Sequence, residues 1–224
     1  MTRPRRKLSE TTFTVFDIET TGFDRVYEGV TEIGAVKVLN GQVIGTLQIL
    51  VDPGVGIAPQ IERLTGIYSS MVDGCPPIDH ALPQFLQFSQ GTSLVAHNAS
   101  FDSGFLAKKA ELHGIAWPKF EVIDTLALAR RLVDYSEVED HKLASLATIF
   151  SPDGNPCHRA LADAMATVDV MHGLFDRLVL HRVTTVERLY EWLEFTPKHR
   201  KPKPIVIEQP RDPRVNYDIS LVPF

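Results

Sequence analysis

The stretch VFDIETTG, Val15 to Gly22, places two acids one residue apart. Its apolar residues read as a buried β-strand. Strand side chains alternate between faces, so Asp17 and Glu19 point one way while Phe16 and Ile18 anchor the strand on the other. Two carboxylates held side by side repel and raise at least one pKa unless positive charge lies between them. Three later residues are of the types that would complete such a site. Asp102, in VAHNASFD, falls just beyond another short strand, where a helix begins and where α/β sheets gather functional groups. His158 and Asp163 lie in HRALADA. Five residues along one helix turn two side chains about 140° apart, so both face one site only if His158 precedes the helix. The stretch DGNPCH, with the loop formers Asp153, Asn155 and Pro156, provides that lead-in. Four carboxylates with no cysteine partner are hard oxygen ligands, suited to Mg²⁺ or Mn²⁺ rather than structural Zn²⁺. Clusters holding two such ions stabilise both the attacking and the leaving oxygen of a phosphoryl displacement. A histidine beside them has a natural task, taking the proton from the attacking water.

Taken singly, each residue has a duller explanation. By its position Asp102 reads as an N-cap, Asp163 as part of a solvated helix face, and His158 as a surface-loop residue. Asp17 and Glu19 resist that treatment, because a buried acid pair on one face is costly if left unpaired. His97 reads as a residue orienting its loop, Asp124 as the cap of a following helix, and Phe85, Leu86 and Phe88 as core. The acidic run Asp134 to Asp140 reads as a solvated loop.

The elements that would position these groups follow from periodicity and turn chemistry. Thr12 to Glu19 is a central strand, and two further strands flank Asn40-Gly41, a strong hairpin signal. Helices are expected over APQIERLTGI, ended by Gly66, over IDHALPQFLQFSQ, and over FDSGFLAKKAELHG, ended by Gly114. SLVAHNA and FEVIDT are short strands. LALARRLV, HKLASLATIF, ALADAMATVDVMHGLFDRLVL and TTVERLYEWLEF complete the helices, the last capped by Thr184 or Thr185. Three leading antiparallel strands followed by alternating helix and strand imply an α/β fold, a mixed five-stranded sheet with helices on both faces.

The bulk composition is that of a soluble globular chain, with 44% hydrophobic and 23% charged residues. Its apolar runs are far shorter than the roughly 20 residues of a membrane span, and no apolar stretch follows the basic start MTRPRRKLSETT, so the expected setting is cytoplasmic. Cys75 and Cys157 make neither a metal nor a redox spacing. A net charge of −5 argues against coating long stretches of duplex, while leaving room for one strand end held at a metal site.

FDIETTG, HNASFD and HRALADA, in this order, resemble the three motifs of the DEDDh 3′→5′ exonuclease family. Its members include the proofreading epsilon subunit of bacterial DNA polymerase III and the exonuclease insert of Gram-positive replicative polymerases. The likeness runs from about Thr12 to Leu180 and takes in LTGI, Leu64 to Ile67, and HKLASLA, His141 to Ala147. The resemblance implies a ribonuclease-H-like fold. It makes Asp17, Glu19, Asp102 and Asp163 the ligands of two Mg²⁺ or Mn²⁺ ions and His158 the general base. It also implies a substrate pocket of Ile18, Thr20, Thr21, Gly22, Leu64, Asn98, Phe101 and His158, with Thr20 to Gly22 meeting the terminal nucleotide partly through backbone groups and Leu64 packing on its base or sugar. On this division residues 1–11 are a basic lead, 12–182 the exonuclease domain, 183–195 a C-terminal helix, and 196–224 a Pro-rich extended tail.

The expected partner is a single-stranded or frayed DNA 3′ end, in replication proofreading or repair, with a replicative polymerase as a possible host assembly. The carboxylates act on phosphate and do not separate DNA from RNA, so an exoribonuclease of the same superfamily is the alternative. A third reading is a non-catalytic subunit attached to a polymerase or sliding clamp. The tail's closing DISLVPF, with Leu221 and Phe224 three apart, is reminiscent of clamp-docking peptides but lacks their usual glutamine.

Overall fold

The computed structural model describes residues 5–151 and 156–199. In chain order the elements are strands β1 (Phe13–Thr20), β2 (Val30–Leu39) and β3 (Gln42–Leu50), and helices α1 (Pro59–Thr65), α2 (Ser69–Val72) and α3 (Ile78–Phe88). Strand β4 (Ser93–Ala96), helix α4 (Ala99–Leu112), strand β5 (Val122–Asp124), and helices α5 (Thr125–Leu132), α6 (Leu143–Phe150), α7 (Ala160–Leu180) and α8 (Val186–Phe195) follow. The sheet order is β3-β2-β1-β4-β5, with β2 antiparallel and β4 parallel to the central β1. Asn40 and Gly41, at φ 51° and 74°, make the tight β2–β3 turn in the left-handed conformation such hairpins require.

Alternation along β1 divides two cores. Phe13 and Val15 pack with Ile123, Leu128, Leu146, Met171, Leu174 and Leu189 beneath α5 to α8. Phe16 and Ile18 pack on the opposite face with Leu82, Phe85, Phe105 and Leu106 of α3 and α4. The Phe16 and Phe85 rings lie 5.2 Å apart, and each fully buried side chain of this kind contributes roughly 1.5–3 kcal/mol. Asp17 and Glu19 continue the Phe13–Val15 face, beside the first turn of α7.

The acid face and α7 approach closely because Gly34 has no side chain. Gly34 pairs with Asp17 across β1–β2, and a Cβ there would lie 2.2 Å from both the carbonyl carbon of Ala160 and the amide nitrogen of Leu161. On the other edge, β4 pairs with β1 only as far as Val15. Beyond that residue β1 runs open toward α4, and the order of strands reverses at β1, where open α/β sheets leave a crevice.

Several elements differ from the sequence expectation. α4 begins at Ala99 behind Asn98, which takes a left-handed φ of 65°, so Asp102 lies within the first turn and is not the N-cap. β5 contracts to three residues. The 134–140 loop is tied down, because Val138 enters the core, Glu137 pairs with Arg177 at 2.6 Å, and the Tyr135 ring packs edge-on against His141. Phe85 is core as expected, whereas Leu86 and Phe88 are half-buried at its rim. Asp124 does cap α5, accepting from the Leu126 amide at 2.9 Å, and Thr185 caps α8. Near the start of the chain, Arg6 bridges Glu121 and Glu187, and Leu8 is buried. Asp153, Asn155 and the stretch carrying Leu221 and Phe224 lie outside the described residues. Among the described residues no helix is long and apolar enough to cross a membrane.

Gly34→Ala is expected to lower stability by about 1–3 kcal/mol, the usual scale of overpacking, because backbone rather than a flexible side chain must move. Thermal or urea unfolding measures this, and an unchanged midpoint would show that α7 is free to back away.

Candidate active site

The two halves of the site arrive from opposite layers. β1 supplies Asp17 and Glu19, the first turn of α4 supplies Asp102, and α7 with the loop before it supplies Asp163 and His158. Donor atoms of Glu19, His158 and Asp163 all lie within 4.8 Å of one another. Asp102 fills the open edge of β1, where its Oδ1 accepts the Ile18 amide at 3.2 Å in place of a missing strand partner. Asp163 Oδ1 accepts the Cys157 amide at 2.9 Å, which draws the lead-in loop onto α7. His158 stands exposed in that loop with a left-handed φ of 55°.

The electrostatics are those of a site short of positive charge. Burial, then the charges of Asp102, Glu19, Asp163 and Glu32, push Asp17 well above the ordinary carboxylate range. Glu19 is pushed up to about 8 by burial and by Asp163, Glu32 and Asp102, eased by Arg159. Burial also raises Asp102 and Asp163, against the amides that donate to them. Acids that hold their protons this tightly without a counter-charge, with an imidazole among them, suit a hard divalent cation. The donor set therefore fits Mg²⁺ or Mn²⁺.

The expected substrate residues are placed unevenly. Ile18 has its side chain in the core and its amide on Asp102. The Thr20 hydroxyl donates to the Gly22 carbonyl at 2.7 Å, and the Thr21 hydroxyl bonds Glu28 and accepts from the Gly29 amide, so both brace the turn after β1. A Cβ at Gly22 would lie 2.8 Å from the Glu28 carboxyl group, so a side chain there would have to displace the end of Glu28. Leu64 is 52% exposed on α1. Asn98 donates its amide to Asp124 at 3.1 Å. Phe101 is half-buried. His97 is half-buried too, bonded through Nδ1 to Thr125 Oγ1 at 3.0 Å, and burial lowers its pKa to about 4.

Three residues were not singled out from the sequence. Phe23 is 87% exposed and meets the Phe101 ring edge-on at 6.1 Å; an aromatic directly after the TTG turn was the available signal. Glu32, opposite Glu19 on β2, has its side chain wholly buried and forms an ion pair with Arg159. Its signal was a charge inside an otherwise apolar strand, and Arg159 stands next to the candidate base.

The fold that carries this acid-lined crevice is of ribonuclease-H-like architecture. The family described as Exonuclease (RNase_T) matches residues 14–171, and the chain belongs to it. Over 207 residues, 90% of this chain, it is 44% identical to a protein of Mycobacterium tuberculosis named for bifunctional exonuclease/endonuclease activity. It is 42% identical over 166 residues, 74% of the chain, to a PolC-type DNA polymerase III of Caldanaerobacter subterraneus. The chain spans 32% and 12% of the lengths of these two relatives. Among solved structures, exonuclease X in complex with 5′ overhanging duplex DNA superposes with a TM-score of 0.60 at 27% identity, covering 81% of this chain and 99% of that one.

Because the folded protein favours protonated Glu19, its contribution is full below the ordinary value of 4.5 and is lost as pH rises through about 8. Metal-free protein should therefore lose stability on the order of a few kcal/mol between these values. Mg²⁺ or Mn²⁺ should restore it, because the ion binds the folded, ionised form. Melts at pH 5 and pH 8, with EDTA and then Mn²⁺, test this; a metal-free midpoint that rises with pH would contradict it.

Proposed function

We propose that the chain is a metal-dependent 3′→5′ exonuclease of the DEDDh type that releases nucleoside monophosphates from single-stranded or frayed DNA ends, working in the cytoplasm. The convergence of Glu19, His158 and Asp163 within 4.8 Å, beside Asp17 and Asp102, carries this reading. Asp17, Glu19, Asp102 and Asp163 would hold two Mg²⁺ or Mn²⁺ ions. When bound, such ions supply charge stabilisation for the attacking and departing oxygens.

The chain's own residues account for the remaining requirements. A water oxygen attacks the terminal phosphorus, the water proton passes to an imidazole nitrogen of His158, which is exposed beside Glu19 and Asp163, and the bond to the 3′-oxygen of the preceding nucleotide breaks, that oxygen taking a proton from solvent to become the new 3′-hydroxyl. Exposed Phe23 against Phe101 offers a face on which bases stack without regard to sequence, and Leu64 stands exposed to pack on the terminal base or sugar.

DNA is favoured over RNA because exonuclease X was solved with DNA and several relatives are DNA polymerases. The polymerase relatives also support a proofreading role, with a replicative polymerase as partner. Clamp docking through Leu221 and Phe224 rests on the sequence alone.

Asp17→Ala is expected to reduce Mg²⁺-dependent release of mononucleotides from a 3′-labelled strand by about a thousandfold or more, the scale of losing one member of a catalytic unit. Full activity in that variant would refute the site. Phe23→Ala should instead raise KM for single strands by roughly fivefold to a hundredfold, the equivalent of about 1–3 kcal/mol of stacking. Steady-state kinetics on matched DNA and RNA oligomers separate both effects and decide the sugar preference.

A further inference from the structure

We propose that Glu32 and Arg159 form a positioning latch that sets His158 against the carboxylate cluster, an inference that rests on the role proposed above for His158. Every donor to Glu32 is accounted for. Oε2 accepts from Arg159 Nε at 3.0 Å and from the Ala160 amide at 2.9 Å. Oε1 accepts from Arg159 Nη2 at 2.9 Å and from Gln48 Nε2 at 2.7 Å. With both oxygens doubly engaged and the side chain wholly buried, this acid is removed from the ligand set although it stands opposite Glu19 in the sheet.

The latch closes on either side of one residue. Before His158, the Cys157 amide is held by Asp163. After it, the Arg159 guanidinium and the Ala160 amide are held by Glu32. His158 between them takes the left-handed φ of 55°, uncommon in a residue with a Cβ though more accessible to histidine than to most, and the bonds on either side hold it there. Gly34 lets the start of α7 settle onto β2 so that these bonds reach. A two-pronged guanidinium on a carboxylate fixes direction as well as distance, and an ion pair whose carboxylate is buried while its guanidinium is partly exposed is better evidence for fixed geometry than for added stability.

The test uses the full chain and two readouts. The first is kcat and KM on a labelled single strand with Mn²⁺. The second is the imidazole resonance of His158 in metal-free protein carrying ¹³C- and ¹⁵N-labelled histidine, assigned by loss of the signal in His158→Gln. Arg159→Ala and Glu32→Gln are each expected to lower kcat about tenfold to a hundredfold, as small misplacements of a reacting group do, with KM within about twofold. Both should move the His158 resonance toward that of free imidazole. The double variant Glu32→Leu with Arg159→Met leaves no unpaired buried charge and carries the test if a single variant fails to fold. It should lose no more kcat than the singles, as expected for residues acting as one unit.

Retained kcat in a folded variant would overturn the latch. So would a loss of kcat with an unmoved His158 resonance, which would place the effect on charge near Glu19 rather than on the ring. If the wild-type chain proves inactive on nucleic acid, the proposed function falls, and the resonance comparison still decides whether Glu32 and Arg159 place His158.

Discussion

Carboxyl groups gathered at the largely buried end of the central strand are the constraint around which the rest is arranged. Asp17 and Glu19 lie on the inner face of the central strand, and Glu32, Asp102 and Asp163 join them from β2, α4 and α7. The acids are tolerated by different means. Glu32 has a guanidinium and an amide, Asp102 and Asp163 accept amides yet are still raised by burial, and Asp17 and Glu19 are raised as well, so that the four call for a cation. The first turn of α7, pressed down at Gly34, brings the positive end of a 21-residue helix to the same place.

The two hydrophobic cores give this arrangement its rigidity. Because β1 is packed on both faces, its backbone is fixed by Phe13 and Val15 beneath α7 and by Phe16 and Ile18 beneath α4. The strand then emerges past the end of β4 with its acids projecting into the crevice. The aromatic surface beside them belongs to the loop after β1, closed by Thr21 with Glu28 and pinned to α4 by Arg25, which donates to the Ser100 carbonyl at 2.6 Å.

Local pattern made much of this legible. The alternation in FTVFDIET assigned the acids a common face, Asn40-Gly41 marked the hairpin, and HRALADA put His158 ahead of the helix that carries Asp163. What escaped was tertiary. Asp102 looked like a cap by its position, whereas its oxygen serves an amide on β1, 84 residues earlier. Glu32 passed for an ordinary strand residue because its partner is 127 residues away. The 134–140 loop looked solvated because its charges outnumber Val138 and because Glu137 finds Arg177 only once α7 is in place. Phe23 carried no periodic signal, since an exposed aromatic on a turn serves no core.

The bond from the Ile18 amide to Asp102 has a dynamic consequence. In most of the sheet an amide is shielded by another strand, whose opening reports on the fold at large. Here a backbone proton is shielded by a carboxylate that belongs to the crevice and rides on α4. Its hydrogen-exchange rate is thus a local gauge of how firmly that helix is docked on the central strand, readable in the resting protein with no nucleic acid present.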